Sequence, residues 1–163
     1  MSFRIGQGYD VHQLKSDLSL IIGGVNIPHT QGVVAHSDGD VLLHAIIDAM
    51  LGATNLGDIG QLFPNSKQWE KQSSLKMLQH TYHKIQDKFP NVQLYNIDAT
   101  IILEKPKLSS YIFQMKTNIA DILVSDNFDI NNISIKATTT DTLGFVGLEQ
   151  GIAAQAICLL KIQ

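Results

Sequence analysis

Arginine is nearly absent from this chain of 163 residues: eleven of its twelve basic residues are lysines, and Arg4 stands alone. With fifteen acidic residues and a net charge of -3, that scarcity excludes an arginine-rich nucleic-acid surface. It also sets a condition, because a phosphorylated ligand here would find almost no guanidinium to hold it. Cysteine is reduced to Cys158, which excludes an intrachain disulfide; it lies in an apolar run, as a buried, inert thiol does, and fits a reducing compartment. No apolar run approaches the ~18 residues of a membrane span, and the N-terminus shows no basic-then-apolar leader. The expected location is therefore the bacterial cytoplasm, or a plastid for a mature, trimmed form, with neither membrane nor nucleic acid as partner.

What is present is the composition of a globular protein, 44% hydrophobic and 17% charged, long enough for one domain over residues 1–163. Phe3 to His12 reads as a strand, with Gly6 and Gly8 marking close backbone approach on one side. LSLIIGGVNIPH gives two short apolar runs about Gly23-Gly24, a β-hairpin. AHSDGDVLLHAIIDAMLGA turns from a polar loop into a helix, with Val41, Leu42, Ala45, Ile46, Ala49 and Met50 at helical spacing and Asp38 or Asp40 as N-cap. Residues 57–68 read as a loop, 73–88 and 108–123 as helices, and 91–103 and 133–139 as strands. GIAAQAICLLKI is apolar almost throughout, which suits a buried strand or a buried helix; a sheet with helices on one face needs a covered middle, so a strand is expected. No repeat or linker interrupts the chain, which makes it α+β.

Three groups of residues could do chemistry. Asp10 and His12, two apart in a strand, project from one face and can converge on a metal ion, although a surface Asp beside a hydrogen-bonded His gives the same pattern. Asp40, His44 and Asp48 fall at i, i+4 and i+8 on a helix, a His flanked by two carboxylates on one stripe; an Asp-His-His set would give Zn²⁺ three ligands and an open fourth position, while capping by Asp38 or Asp40 plus a solvated face is the competing reading. In KATTTD, Thr138, Thr139 and Thr140 offer hydroxyls and backbone N–H groups to phosphate at a strand end, with Asp141 as a ligand for a divalent cation; the glycine-rich turn at 57–60 is an alternative phosphate seat. His29, His80 and His83 have no assigned role, and Trp69 fits packing under a loop as well as stacking on a ligand.

Taken together, GQGYDVHQL, IIGGVNIPHTQGVVAHSDGDVLLHAIIDAMLGA, GDIGQLFP and IKATTTDTLGFVGLEQGIAA, in this order and spacing, resemble the 2-C-methyl-D-erythritol 2,4-cyclodiphosphate synthases along nearly the whole chain. The resemblance implies a β-α-β-α-β-β core with a mixed four-stranded sheet and helices on one face, beside the N-terminal hairpin. It implies a homotrimer with active sites at subunit interfaces. The implied activity is a lyase of the non-mevalonate isoprene pathway, closing 4-diphosphocytidyl-2-C-methyl-D-erythritol 2-phosphate into the 2,4-cyclodiphosphate with loss of CMP.

On matching positions the resemblance makes Asp10, His12 and His44 the ligands of one Zn²⁺ per subunit, with Mg²⁺ or Mn²⁺ bridging the substrate phosphates and Asp141 as its ligand. His36 and Ser37 approach the phosphates, while Asp58, Ile59, Gly60 and Phe63 line the erythritol. From the neighbouring subunit Leu103, Lys107, Leu108 and Ser109 cradle the cytidine, and Thr138, Thr139, Thr140 and Phe145 complete the set. His36 and Thr139 are the implied pair that polarises the reacting phosphate. The 2-phosphate oxygen attacks the β-phosphorus in line, an anion approaching an anion, so the metal ions are needed for charge and no protein nucleophile is required.

The chain departs from the family pattern at three places. Asp141 replaces Glu, Asn65-Ser66-Lys67 replaces an acidic DTD, and Leu148, followed by Glu149-Gln150, replaces an Arg that holds a diphosphate in the central cavity of the trimer. Two other classes share the residues: a Zn²⁺ hydrolase using the Asp-His-His set to activate water, and a trimeric nucleotide-binding module without turnover.

Overall fold

The computed structural model describes residues 2–162 apart from 65–68, 70, 71, 124, 126 and 127. The first strand, β1, runs from Ser2 to Ser16, four residues further than alternation suggests. Its last residues pair antiparallel with a short strand that the sequence reading lacks; after the hairpin of β2 (Leu20–Ile22) and β3 (Val25–Ile27) comes β4 (Gln31–Val33). Three residues are too few to show alternation, so β4 is invisible in the pattern. Gly23 and Gly24, at φ 58° and 71°, make the tight hairpin turn that favours positive φ at both central residues.

Helix α1 (Val41–Thr54) follows, then a single turn, α2 (Ile59–Leu62), inside the segment read as loop. α3 (Ser74–Lys88) and β5 (Gln93–Ile102) stand where the periodicity puts them, α4 (Ile112–Leu123) begins four residues later than expected, after a turn at 109–111, and β6 (Ile133–Thr138), a second single turn α5 (Gly144–Gly147) and β7 (Gly151–Ile162) complete the chain. The single turns carry too few residues for helical periodicity to show.

The ambiguous apolar segment is a strand, and a central one. β7 pairs antiparallel with β1 on one side and β5 on the other, and β6 lies parallel to β5 at the edge, in the order β4-β1-β7-β5-β6. The mixed sheet thus has five strands, not four, because β4 extends the edge of β1. Two longer helices, α1 and α3, also separate β1 from β5, where the expected β-α-β-α-β-β order has one.

α1 is apolar nearly all round, with twelve of its fourteen residues buried, because β1 and β7 lie on one side of it and α3 on the other. Its seat on β1 depends on two glycines. A Cβ at Gly6 would stand 1.8 Å from the carbonyl oxygen of Ala49, and one at Gly8 2.0 Å from that of Ala45, so the helix backbone rests directly on the strand. On the opposite face of the sheet Phe3, Ile5, Tyr9, Val11 and Ile157 are exposed. The longer helices therefore cover one face, and an apolar surface remains on the other. No described helix is long and apolar enough to cross a membrane.

Candidate metal centre and adjoining cavities

Gly6, Gly8, Asp10 and His12 share one face of β1. The first two let α1 lie down, and the next two meet its N-terminal half, where His44 points back at them. The carboxylate Oδ2 of Asp10 is 2.9 Å from His12 Nε2 and 3.0 Å from His44 Nδ1, and the two ring nitrogens are 3.1 Å apart. Three lone-pair atoms so arranged need a cation or protons between them. Zinc bonds of ~2.0–2.1 Å would set tetrahedral neighbours about 3.3 Å apart, so this triangle fits a metal ion with little adjustment. Burial would raise the Asp10 carboxyl, but hydrogen bonds from His12 and His44, and their charge, hold it well below the usual carboxylate range. For His44 the burial that would lower its pKa is outweighed by its hydrogen bond to Asp10 and by the charges of Asp10, Asp40 and Asp38, so it is raised.

The stripe Asp40–His44–Asp48 divides into three tasks, and Asp40 is not available as a ligand. Fully buried, it accepts from Leu43 N–H as the N-cap of α1 at 3.1 Å, and from the N–H groups of Gly23 and Gly24 at 2.9 and 2.7 Å. Burial pushes its pKa up to about 6, against those three donors and helped by the Asp38 charge. Asp48, half-buried, accepts from Ile59 N–H at 2.7 Å and so fixes α2 beside α1. Its pKa is raised by burial, in part offset by that hydrogen bond. Asp58 caps α2, accepting from Gln61 N–H at 2.8 Å and from its side-chain amide at 2.7 Å.

The triad opens onto a cavity of about 680 Å³ whose wall includes His36, Ser37, Ile59, Gly60 and Phe63. These five were expected at the substrate. Pro64, Trp69 and Met77 also line it. Trp69 packs edge-on to Phe63, with ring centroids 4.7 Å apart, and both meet His80 at 5.6 Å. His80 is exposed, as expected of a solvated helix face, with one side of its ring against Phe63 and Trp69. His83 is exposed as expected. His29 is half-buried, and its Nε2 has no hydrogen-bond partner among the described residues. The substituted segment Asn65-Ser66-Lys67 lies outside the described residues.

A second cavity, about 500 Å³, is lined by Leu103, Lys107, Leu108, Ser109, Thr138 and Thr139. Glu104, which the sequence did not single out, belongs to it and accepts from Thr140 N–H at 3.3 Å. Asp141, at φ 52°, is exposed and accepts from the Thr139 hydroxyl at 3.3 Å, apart from the Asp10 cluster. Phe145 lines neither space; it faces a third cavity of about 570 Å³ with Leu148 and His12. Within one chain, then, His36 and Thr139 line different cavities.

Comparison with known proteins gives this arrangement a context. The 2-C-methyl-D-erythritol 2,4-cyclodiphosphate synthase of Clostridioides difficile (strain 630) is 53% identical over 160 residues, 98% of this chain and 96% of that protein. Among solved structures, the bifunctional IspDF of Campylobacter jejuni superposes with a TM-score of 0.91 at 39% identity, covering 99% of this chain but 43% of that longer one. The CDP complex of IspF from Plasmodium falciparum superposes at 0.85 with 36% identity, over 99% of this chain and 97% of the other. The sequence profile of the YgbB family matches residues 3–161, and with a match of that extent the chain belongs to the YgbB family.

Proposed function

We propose that this protein closes 4-diphosphocytidyl-2-C-methyl-D-erythritol 2-phosphate into 2-C-methyl-D-erythritol 2,4-cyclodiphosphate and releases CMP, as a lyase of isoprenoid precursor synthesis. The observation that carries the reading is the convergence of Asp10 Oδ2, His12 Nε2 and His44 Nδ1 at 2.9 to 3.1 Å beside a cavity of substrate size. The three residues would hold Zn²⁺, and Asp141 a second divalent ion, Mg²⁺ or Mn²⁺. Bound there, the ions would supply charge neutralisation for an anion attacking a diphosphate.

The chain's own residues do the rest. Ile59, its N–H fixed by Asp48, and Gly60 line the cavity on the side assigned to the polyol, with Asp58 beside them at the start of α2. Phe63 and Trp69 exclude water from the cavity wall. His36 and Ser37 face the phosphates, and Lys107, Leu108 and Ser109 the cytidine. Bending one molecule so that its 2-phosphate meets its own β-phosphorus is a positioning task, which can supply several kcal/mol of the barrier. That His36 and Thr139 lie in separate cavities of one chain supports a site completed by a neighbouring copy. The exposed apolar sheet face of Ile5, Tyr9, Val11 and Ile157 supports the homotrimer.

Phosphorus NMR of the metal-loaded protein with the linear substrate tests the reading. A cyclic diphosphate plus CMP, lost on adding chelator, is the expected result. Inorganic phosphate would assign a zinc hydrolase instead, and an unchanged spectrum with tight CDP binding a nucleotide-binding module.

A further inference from the structure

His44 meets Asp10 and His12 with Nδ1, and its other ring nitrogen is also engaged. Nε2 lies 3.0 Å from the hydroxyl of Ser74 and 3.4 Å from that of Ser37. Ser74 is the first residue of α3 and is fully buried. Its hydroxyl donates to Asp38 Oδ1 in a short hydrogen bond, and its backbone N–H donates to Asp38 Oδ2 at 2.9 Å. Two bonds from one carboxylate therefore fix both the position of Ser74 and the direction of its hydroxyl.

That direction has a chemical consequence. A serine hydroxyl owns one proton, and an ionised carboxylate only accepts. With its proton given to Asp38, the Ser74 oxygen can only accept from His44, so Nε2 must carry a proton. When the ring is neutral its lone pair is therefore on Nδ1, facing the space between Asp10 and His12. A helix start needs only a capping acceptor, and Ser73 supplies it by accepting from Leu75 N–H at 3.3 Å. The contact between Ser74 and His44 is not required for helix capping.

We propose that Ser74, aimed by Asp38, is a positioning residue that fixes the ring orientation and tautomer of His44 for metal binding. It acts through His44 and does not touch substrate. The chain Asp38–Ser74–His44 links the start of α3 to the loop before α1, so the ligand is held from both of the helices that enclose it. Partners of this kind raise ligand basicity, and their loss typically costs 10- to 100-fold in metal affinity. The proposal rests on the reading of Asp10, His12 and His44 as zinc ligands.

Zinc affinity, by competition with a chromophoric chelator, and nitrogen-resolved NMR of the histidine rings of the zinc-loaded protein together test it. The unsubstituted protein should bind one zinc per chain and show a slowly exchanging proton on His44 Nε2. Ser74→Ala should weaken zinc by about 10- to 100-fold and make that ring proton exchange rapidly, and Asp38→Asn should do the same to a smaller degree. A zinc affinity in Ser74→Ala within twofold of the unsubstituted protein would overturn the proposal. If Ser74→Ala does not fold, the unsubstituted protein decides: a His44 ring protonated on Nδ1, with zinc on Nε2, is equally fatal. Failure of the unsubstituted protein to bind zinc at all would sink the metal reading itself.

Discussion

The cavity beside Asp10, His12 and His44 and the cavity between the β5 loop and the end of β6 are built in opposite ways. At the candidate metal end the polar groups are tied down: Asp10, His12 and His44 to one another, Ser74 to His44 and to Asp38, Asp40 to a turn and a helix, Asp48 to the start of α2. At the other end Lys107, Ser109 and Thr139 are exposed, and among the described residues the hydroxyl of Thr139 donates only to the exposed Asp141. The first end sits on regular elements buried against each other, the second on the loop after β5 and the end of β6. The candidate metal cluster is thus carried by packing, and the cavity assigned to the nucleotide in the proposed function by loop and strand-end segments.

The sharpest way to break this contrast is His44→Ala. Zinc content should fall to near zero and turnover by at least about 1000-fold, since the metal is asked for several kcal/mol of charge stabilisation; stoichiometric zinc with the enzyme inactive would put the metal elsewhere. Next is Gly8→Ala, remote from any substrate. A Cβ 2.0 Å from a helix carbonyl must lift α1, at a cost of about 3 kcal/mol or more, so the melting temperature should drop by roughly 10 °C and zinc affinity with it. Lys107→Ala, at the open end, should raise KM about 10-fold, one charge-assisted contact, with kcat within about threefold. A collapse of kcat instead would show that the nucleotide end is held no more loosely than the metal end.

The smallest effect concerns Cys158, which lies opposite Gly6 in the sheet. Burial pushes its thiol up to about 12, against a weaker opposing contribution from the Gly6 backbone. A folded pKa above the unfolded value of about 9 means that its contribution to stability is complete below pH ~9 and is lost as pH rises towards 12. At pH 8 a thiol reagent should leave it untouched until the chain is unfolded; rapid labelling of the native protein would mean that the central strand opens.

How much of this was legible in the sequence follows the same division. Gly6 and Gly8 announced a close approach, and Asp10-Val-His12 a shared strand face, because a period of two fixes both. The longer helices came from periodicity, whereas β7, apolar almost throughout, came as a strand from the need for a covered middle of the sheet. β4 was not legible, being three residues paired only through the end of β1, and α2 and α5 are each a single turn. Asp40, His44 and Asp48 looked like one stripe, yet their roles depend on what α1 packs against, which no single-helix pattern contains. Ser74 left no signal beyond a second serine at a helix start, since its partners are 30 and 36 residues away. Lys107, Leu108 and Ser109 came from resemblance alone.

The Asp40 carboxylate ties the hairpin turn at Gly23-Gly24 to the first turn of α1, four residues before His44, and Asn118 of α4 grips the same turn by donating to the Gly23 carbonyl at 2.9 Å. The hairpin looks like an appendage outside the main sheet, but it is wired to the metal centre through one side chain. Lesions in it, such as a lengthened turn or a bulky residue at 23 or 24, belong with defects of ion loading rather than with tolerated surface variation. A survey of damaging substitutions should find them clustering there.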